Sequence, residues 1–228
     1  MILNKRLATI EQLCDSSCVT ADIGCDHGKL GFALLESNKV KRLIATDISA
    51  PSLNKAEKLL SGRFDGKYDC RVGDGLKALR IDDQVDQIVV AGMGGKEIEK
   101  MFEVNTDLLQ SAKVLVLQPM RGVVCVRRWL NKNGFKIVRD LVVKDKRKYY
   151  HVIKAKPGKR DLSEQQILFG ADKDAWQEPD YQAWLVVLEH KELQKANEVE
   201  KAPERAREQL LKEINKNLEY INMLKIKE

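Results

Sequence analysis

The hydrophobic pattern changes period repeatedly along the first two thirds of the chain. Short apolar, β-rich runs occur at residues 19–23, 43–46, 68–72, 87–90 and 114–117, and helical patterns at 30–36, 51–61, 95–102 and 123–131 lie between them. Strands alternating with helices predict an α/β fold, a parallel sheet with crossover helices. Ahead of the first strand, Leu3, Leu7, Ile10 and Leu13 recur at helical spacing. Asn133-Gly134 breaks the last of these helices, and two strand-like runs follow, "FKIVRDLVV" and "YYHVIKAK". Joined by the charged "KDKRK", they predict an antiparallel hairpin at the end of the sheet.

"KPGKR" reads as a linker, and beyond it strand patterns vanish. Leu185, Leu188, Leu193 and Val199 suggest one long helix, and Pro203 marks a break or the first turn of another. Leu211, Ile214, Leu218 and Ile221 alternate steps of three and four, a seam pattern. Two antiparallel helices are the simple reading. The expected division is a domain over 1–158 and a small α-helical, coiled-coil domain over 161–228.

Composition adds three constraints. The 228 residues are 43% hydrophobic, enough for one core and an appendage. No apolar run approaches the roughly 20 residues that span a bilayer, and the N-terminus lacks a signal-peptide pattern, so a cytoplasmic protein without membrane contact is expected. The five cysteines, Cys14, Cys18, Cys25, Cys70 and Cys125, are scattered without a CxxC pair or Cys/His cluster. Reduced thiols are expected, and no metal.

Charge is unevenly distributed. The net charge is +6, yet residues 121–160 carry 14 Lys and Arg against 2 Asp and Glu. Tyr149, Tyr150 and His151 stand among these cations. Such a segment is either a solvated face or a surface for a polyanion, and aromatic residues within it favour the second.

The candidate chemistry starts at "TADIGCDHGKLG", residues 20–31. Its glycine spacing, after a strand and before a helix, is that of a nucleotide-binding turn. A dinucleotide would lay its pyrophosphate there and needs a small residue in the middle of the loop. Asp26 stands in that place, too large and of the wrong sign. S-adenosylmethionine has no phosphate and carries a cationic sulfonium, so it tolerates the acid; capping the following helix is the alternative role for Asp26. Asp47 ends the second strand, where an acid accepts hydrogen bonds from ribose hydroxyls of this donor or of NAD. Asp74 follows the third strand, within reach of an adenine amino group. Gly92-Met93-Gly94-Gly95 ends the fourth in a turn that can pass close to a ligand.

"DIGCDHG", "GDGL", "AGMGG", "LQP" and "WLNKNGF", in this order, resemble the bacterial tRNA (adenine-N1)-methyltransferase family called TrmK. The resemblance covers roughly residues 3–157, and the helical tail is similar to the family's small C-terminal domain. It implies a Rossmann-like class I methyltransferase sheet, S-adenosylmethionine as cofactor, and methylation of N1 of an adenine, number 22, in the tRNA D-loop. It carries donor contacts onto Asp22, Gly24, Asp26, His27, Asp47, Asp74, Gly92 and Met93; Gly28, Ile48 and Gly75 complete the expected set. The chain departs from the family at Met120, where Asn is usual, and at Cys25, where Ser is expected. The first departure bears on how the target base is held.

Adenine N1 is neutral with a free lone pair, so attack needs no prior deprotonation; alignment with the methyl group is the main requirement. The product is cationic, and carboxylates beside it would stabilise the developing charge. Asp26 and His27 are the expected catalytic residues, with Gln118 at the end of the fifth strand as a hydrogen-bond partner for the base. His27 and Gln118 have alternative roles as packed, hydrogen-bonded groups. Arg121, Lys146, Arg147 and Lys148 are the expected RNA contacts. A monomer acting on tRNA is expected. The competing classes are a methyltransferase for another RNA, a protein or a small molecule; an NAD-dependent oxidoreductase; and a non-catalytic RNA-binding module.

Overall fold

The computed structural model describes residues 1–16, 18–104, 106–199 and 203–226, and of Arg205 the backbone alone. The chain forms two compact units, Met1–Ala171 and Asp172–Glu228. The first runs beyond the boundary expected at 158 and takes in a short helix at residues 164–169.

In the first unit seven strands form one sheet: β1 (Cys18–Ile23), β2 (Val40–Asp47), β3 (Tyr68–Val72), β4 (Gln87–Ala91), β5 (Val114–Gln118), β6 (Phe135–Asp145) and β7 (Lys148–Pro157), in the order β3-β2-β1-β4-β5-β7-β6. β1 to β5 are parallel, and β7 runs antiparallel to both β5 and β6. The central strands are apolar on both faces because helices cover both. β5, "VLVLQ", is buried at every position. The helices are α1 (Lys5–Leu13), α2 (Lys29–Glu36), α3 (Ala50–Leu60), α4 (Gly95–Glu103), α5 (Thr106–Ser111), α6 (Val123–Lys132) and α7 (Glu164–Phe169).

Local chemistry sets the helix starts that matter to the site. Asn4 caps α1 by accepting from the Leu7 amide at 2.9 Å. Ser49 caps α3, with Pro51 in the first turn. Gly28 caps α2 at φ +70 without a side-chain bond, so the expected alternative role of Asp26 as that cap does not hold. A Cβ at Gly28 would lie 2.7 Å from Ala56 Cβ, so only glycine lets α2 and α3 pack this closely.

The hairpin runs longer than "KDKRK" suggested: β6 and β7 pair up to Asp145 and Lys148, leaving a turn at Lys146 and Arg147. Its base encloses a buried charge cluster. Arg127 on α6, wholly buried, donates to Asp140 through Nε at 2.7 Å and Nη2 at 3.1 Å. It also donates to the Ile167 and Leu168 carbonyls of α7 at 3.1 and 3.2 Å. Burial would raise the Asp140 pKa, but Arg127 outweighs it and the net shift is down. His151 lies with them, its Nδ1 3.0 Å from Arg127 Nη2, and burial followed by Arg127 lowers its pKa to about 3. His151 is therefore neutral and internal, not one of the surface groups its sequence neighbours suggested.

In the second unit, Pro203 caps a second long helix and α8 (Pro179–Glu198) precedes α9 (Glu204–Leu224). Gln182 Nε2 donates to the Leu224 carbonyl and Asn217 Nδ2 to Glu192 Oε2, so the start of α8 meets the end of α9 and the pair is antiparallel. Tyr181, Leu185, Glu192 and Val199 are buried on α8, and Ile214, Ile221 and Leu224 on α9. Leu193 is exposed, one position off the stripe; Glu192 turns inward instead and is held by Lys195 at 2.5 Å. Among the described residues no helix is long and apolar enough to cross a membrane.

Candidate active site

The carboxyl ends of β1 to β5 share one edge of the sheet. Strand order reverses direction between β1 and β4, the switch point where such sheets open a ligand crevice. The loop after β1 is fastened there by its backbone. Gly24 and Cys25 amides donate to the Thr46 carbonyl at 2.8 and 2.9 Å. Asp26 follows at φ +51, an uncommon conformation for a residue with a side chain. Its amide donates to Asp47 Oδ2 at 2.9 Å, while Asp47 Oδ1 accepts from Ser49 N at 2.8 Å. Asp47 thus holds the turn, and each carboxylate oxygen retains a further lone pair for a ligand.

A cleft of about 90 Å³ opens beside this turn, lined by Arg6, Asp22, Gly24, Cys25, Asp26, His27 and Lys29. It brings together Asp22, Gly24, Asp26 and His27 of the expected set. A Cβ on Gly24, at φ +71, would lie 2.6 Å from Met93 Cε, so glycine here keeps the loop against the β4 turn. Gly92 and Met93 are laced to the end of β5: Gly92 N donates to Gln118 O at 3.1 Å, and Met120 N to Met93 O at 2.8 Å. Ile48 is exposed beyond β2. Asp74 and Gly75 stand farther along the edge. Asp74 lines a separate hollow of about 300 Å³ with Lys77, Glu97 and Met101, its Oδ2 2.8 Å from Lys77 Nζ. The 90 Å³ cleft is smaller than the roughly 300–1,000 Å³ of a typical ligand pocket, so it fits the end of a ligand, with the rest on the open edge towards Asp74.

Asp22 has the most perturbed carboxyl in the cleft. It is 3% exposed, and its Oδ2 has no hydrogen-bond partner. Burial, and then the Asp47 carboxylate, raise its pKa from 3.8 to about 7. A buried carboxylate without a partner is costly, and a cationic ligand would relieve it. Burial also pushes the Cys25 thiol up, with Asp22 and Asp47 adding to the shift, so Cys25 is an uncharged lining group. His27 Nδ1 lies 3.5 Å from Asp26 Oδ2, and its Nε2 3.1 Å from Lys55 Nζ. Both side chains are open to solvent. Among the described residues no group of three or more His, Cys, Asp or Glu is placed to hold a metal ion.

Gln118 lines neither hollow. It is fully buried, its Oε1 accepting from Arg6 Nη1 at 2.5 Å and its Nε2 donating to the Pro119 carbonyl at 3.0 Å. Arg121 is exposed, 3.4 Å from Glu97 Oε1. Lys146, Arg147 and Lys148 are exposed at the hairpin tip. The 14 cations of residues 121–160 do not form one surface. Arg127 is internal, Arg128 pairs with Glu164, and Lys154 and Lys156 pair with Asp15. Sequence reasoning passed over Arg6, which bounds the cleft from the first turn of α1; its only signal was a polar position on an amphipathic helix.

A seven-stranded sheet with an antiparallel last hairpin and an acid-bearing glycine loop at the switch point defines a class I methyltransferase. The methyltransferase-domain family accordingly matches residues 3–153. The tRNA (adenine(22)-N(1))-methyltransferase of Bacillus subtilis is 32% identical over 162 residues, 71% of this chain and 68% of its own. The crystal structure of the B. subtilis M1A22 tRNA methyltransferase TrmK superposes with a TM-score of 0.87 at 25% identity, covering 98% of each chain. That of a candidate tRNA (m1A22) methyltransferase of Streptococcus pneumoniae in complex with S-adenosyl-L-methionine does so with a TM-score of 0.83 at 26% identity, covering 98% of this chain and 99% of its own. The chain belongs to the tRNA (adenine(22)-N(1))-methyltransferase family.

Proposed function

We infer that the protein transfers the methyl group of S-adenosylmethionine to N1 of an adenine in tRNA, adenine 22 by its relatives. The observation that carries the reading is the buried Asp22 carboxyl in the wall of the cleft, whose Oδ2 has no hydrogen-bond partner and whose pKa is raised by burial. A donor bearing an ammonium and a sulfonium satisfies it, and a pyrophosphate cofactor does not. The groups present fit that donor: Asp22 and Asp26 face its cationic end, Gly24 leaves the backbone bare, Asp47 offers ribose acceptors, and Asp74 stands farther along for the base. Gly28, Ile48, Gly75, Gly92 and Met93 complete the proposed donor edge. When bound, the donor supplies an electrophilic methyl group.

The chain's own contribution is positional and electrostatic. N1 attacks with its lone pair, so no residue need remove a proton first. Asp26, in its strained turn, holds negative charge beside the reacting centre, where the adenine becomes cationic. Asp26 or His27 takes the proton that the product's exocyclic amine can later release; for His27 this requires that Nε2 give up its contact with Lys55 Nζ. The protein acts as a monomer in the cytoplasm, with a catalytic domain over Met1–Ala171 and the helical tail as a separate module.

The test is transfer of labelled methyl from S-adenosylmethionine to unmodified tRNA, followed by digestion to nucleosides. Label in 1-methyladenosine supports the reading; label in another nucleoside, or in none, contradicts it.

A further inference from the structure

A third concavity, of about 490 Å³, adjoins the donor cleft through Arg6 and takes no part in donor binding. Its lining includes Arg6, Met120, Lys146, Arg147, Lys148 and Tyr150, with Asp145 the one carboxylate. Four cations against one acid make it a site for an anion. Its volume lies within the roughly 300–1,000 Å³ of ligand pockets. Arg6 also lines the donor cleft, so one guanidinium bounds both spaces.

Arg6 is unusually well held for a cation on the first turn of a helix. Its Nη1 donates to Gln118 Oε1 at 2.5 Å, and its Cζ lies 5.6 Å from the centroid of the Tyr150 ring. Gln118 is itself fully buried and anchored through Nε2 to the Pro119 carbonyl. A guanidinium has five N–H donors in a rigid plane. One is committed to Gln118, and the others remain for a ligand. Lys146, Arg147 and Lys148 form no ion pair among the described residues. Met120 is 48% exposed at the wall and contributes an apolar, polarisable surface.

We propose that this groove is the acceptor subsite, which receives the phosphodiester-linked nucleotide carrying the target adenine, and that Arg6 binds that nucleotide at the mouth of the donor cleft. The inference rests on the tRNA methyltransfer reading. The cations at the hairpin tip take the flanking phosphates, and Tyr150 and Met120 offer the base an aromatic and a thioether face. Arg6 contacts the phosphate rather than N1, which must stay free to attack. Gln118 is a positioning residue: it aims Arg6 and does not touch the base.

The experiment compares wild type with Arg6→Ala, Arg6→Lys, Gln118→Leu and Lys146→Ala. It measures kcat and KM for unmodified tRNA, tRNA affinity against salt, and S-adenosylmethionine affinity by calorimetry. Loss of a hydrogen bond to a charged group predicts that Arg6→Ala lowers kcat/KM about ten- to a hundredfold. Arg6→Ala and Lys146→Ala should each reduce the salt-dependence slope by about one. Arg6→Lys should restore the slope but not kcat, because an ammonium lacks the planar fork. Gln118→Leu should lower kcat with the slope unchanged.

The assignment is overturned if Arg6→Ala keeps kcat/KM within about twofold of wild type, or if Arg6→Lys restores kcat in full. It is also overturned if donor affinity falls as far as kcat/KM, which would place Arg6 in the donor site alone. Lys146→Ala changes only a surface side chain, so its slope tests the groove without burdening the fold. A wild type that binds tRNA through Arg6 and Lys146 yet forms no 1-methyladenosine would sink the methylation reading and leave the groove standing. A wild type that binds no tRNA sinks both.

Discussion

Asp22→Asn tests the cost of the site on the fold. The folded carboxyl titrates near pH 7, against 3.8 when unperturbed. Well below pH 3.8 the group is protonated in both states and the ionisation penalty vanishes. Between about pH 4 and 7 the unfolded chain binds fewer protons than the folded one, so stability falls as pH rises; above 7 the penalty is complete. Three units at about 1.36 kcal/mol each set an upper figure of about 4 kcal/mol. Asparagine keeps the shape and removes the charge, although its amide is still buried without a partner and this offsets part of the gain. At about 2–4 °C per kcal/mol, and allowing for local relaxation, the variant should melt on the order of 5–10 °C above wild type at pH 8 and level with it near pH 4. Scanning calorimetry from pH 4 to 8 measures this. S-adenosylmethionine should reverse the order, because its cations reward the carboxylate, and donor affinity should fall at least about tenfold in the variant. A stability difference that is flat across pH, or a variant less stable than wild type at pH 8, would refute the reasoning.

Asp47→Ala removes the acceptor of the Asp26 and Ser49 amides and should weaken donor binding at least about tenfold by calorimetry while the sheet still folds. Replacing Lys146, Arg147 and Lys148 together with Ala should weaken tRNA binding and lower the salt slope by about three, with donor affinity untouched. Arg127→Leu leaves Asp140 buried without its partner and should cost about 3–5 kcal/mol in denaturant unfolding; adding Asp140→Leu should recover part of that loss.

How much of this was legible depended on the range of the interaction. The alternation of β-rich and helical runs placed β1 to β5 and their crossover helices, because period is a local property. α5 and α7 escaped because six residues carry too little period to stand out. Of the seam read at Leu211, Ile214, Leu218 and Ile221, Ile214 and Ile221 are buried and Leu211 is exposed; on α8 the apolar run includes Leu193, but the helical phase set by Tyr181 and Leu185 turns Glu192 inward. The glycine loop and the acids after β1, β2 and β3 were legible as a donor edge, since each sits at a strand end. Charge counting located the basic segment but could not separate inside from outside, so Arg127 and His151 passed for surface groups. Arg6 was beyond reach altogether, because its role comes from Gln118, 112 residues away.

Adenine N1, the proposed methyl acceptor in tRNA, lies on the edge that pairs with another base. A methyl group there blocks copying by reverse transcriptase, so primer extension maps it to the nucleotide. The measurement uses an unmodified tRNA transcript incubated with the protein and S-adenosylmethionine, beside a second transcript in which adenine 22 is replaced by guanine. The expected result is a stop next to adenine 22 that needs both protein and donor and is absent from the substituted transcript. Full-length copying of the first transcript after incubation, or the same stop on both, would contradict it.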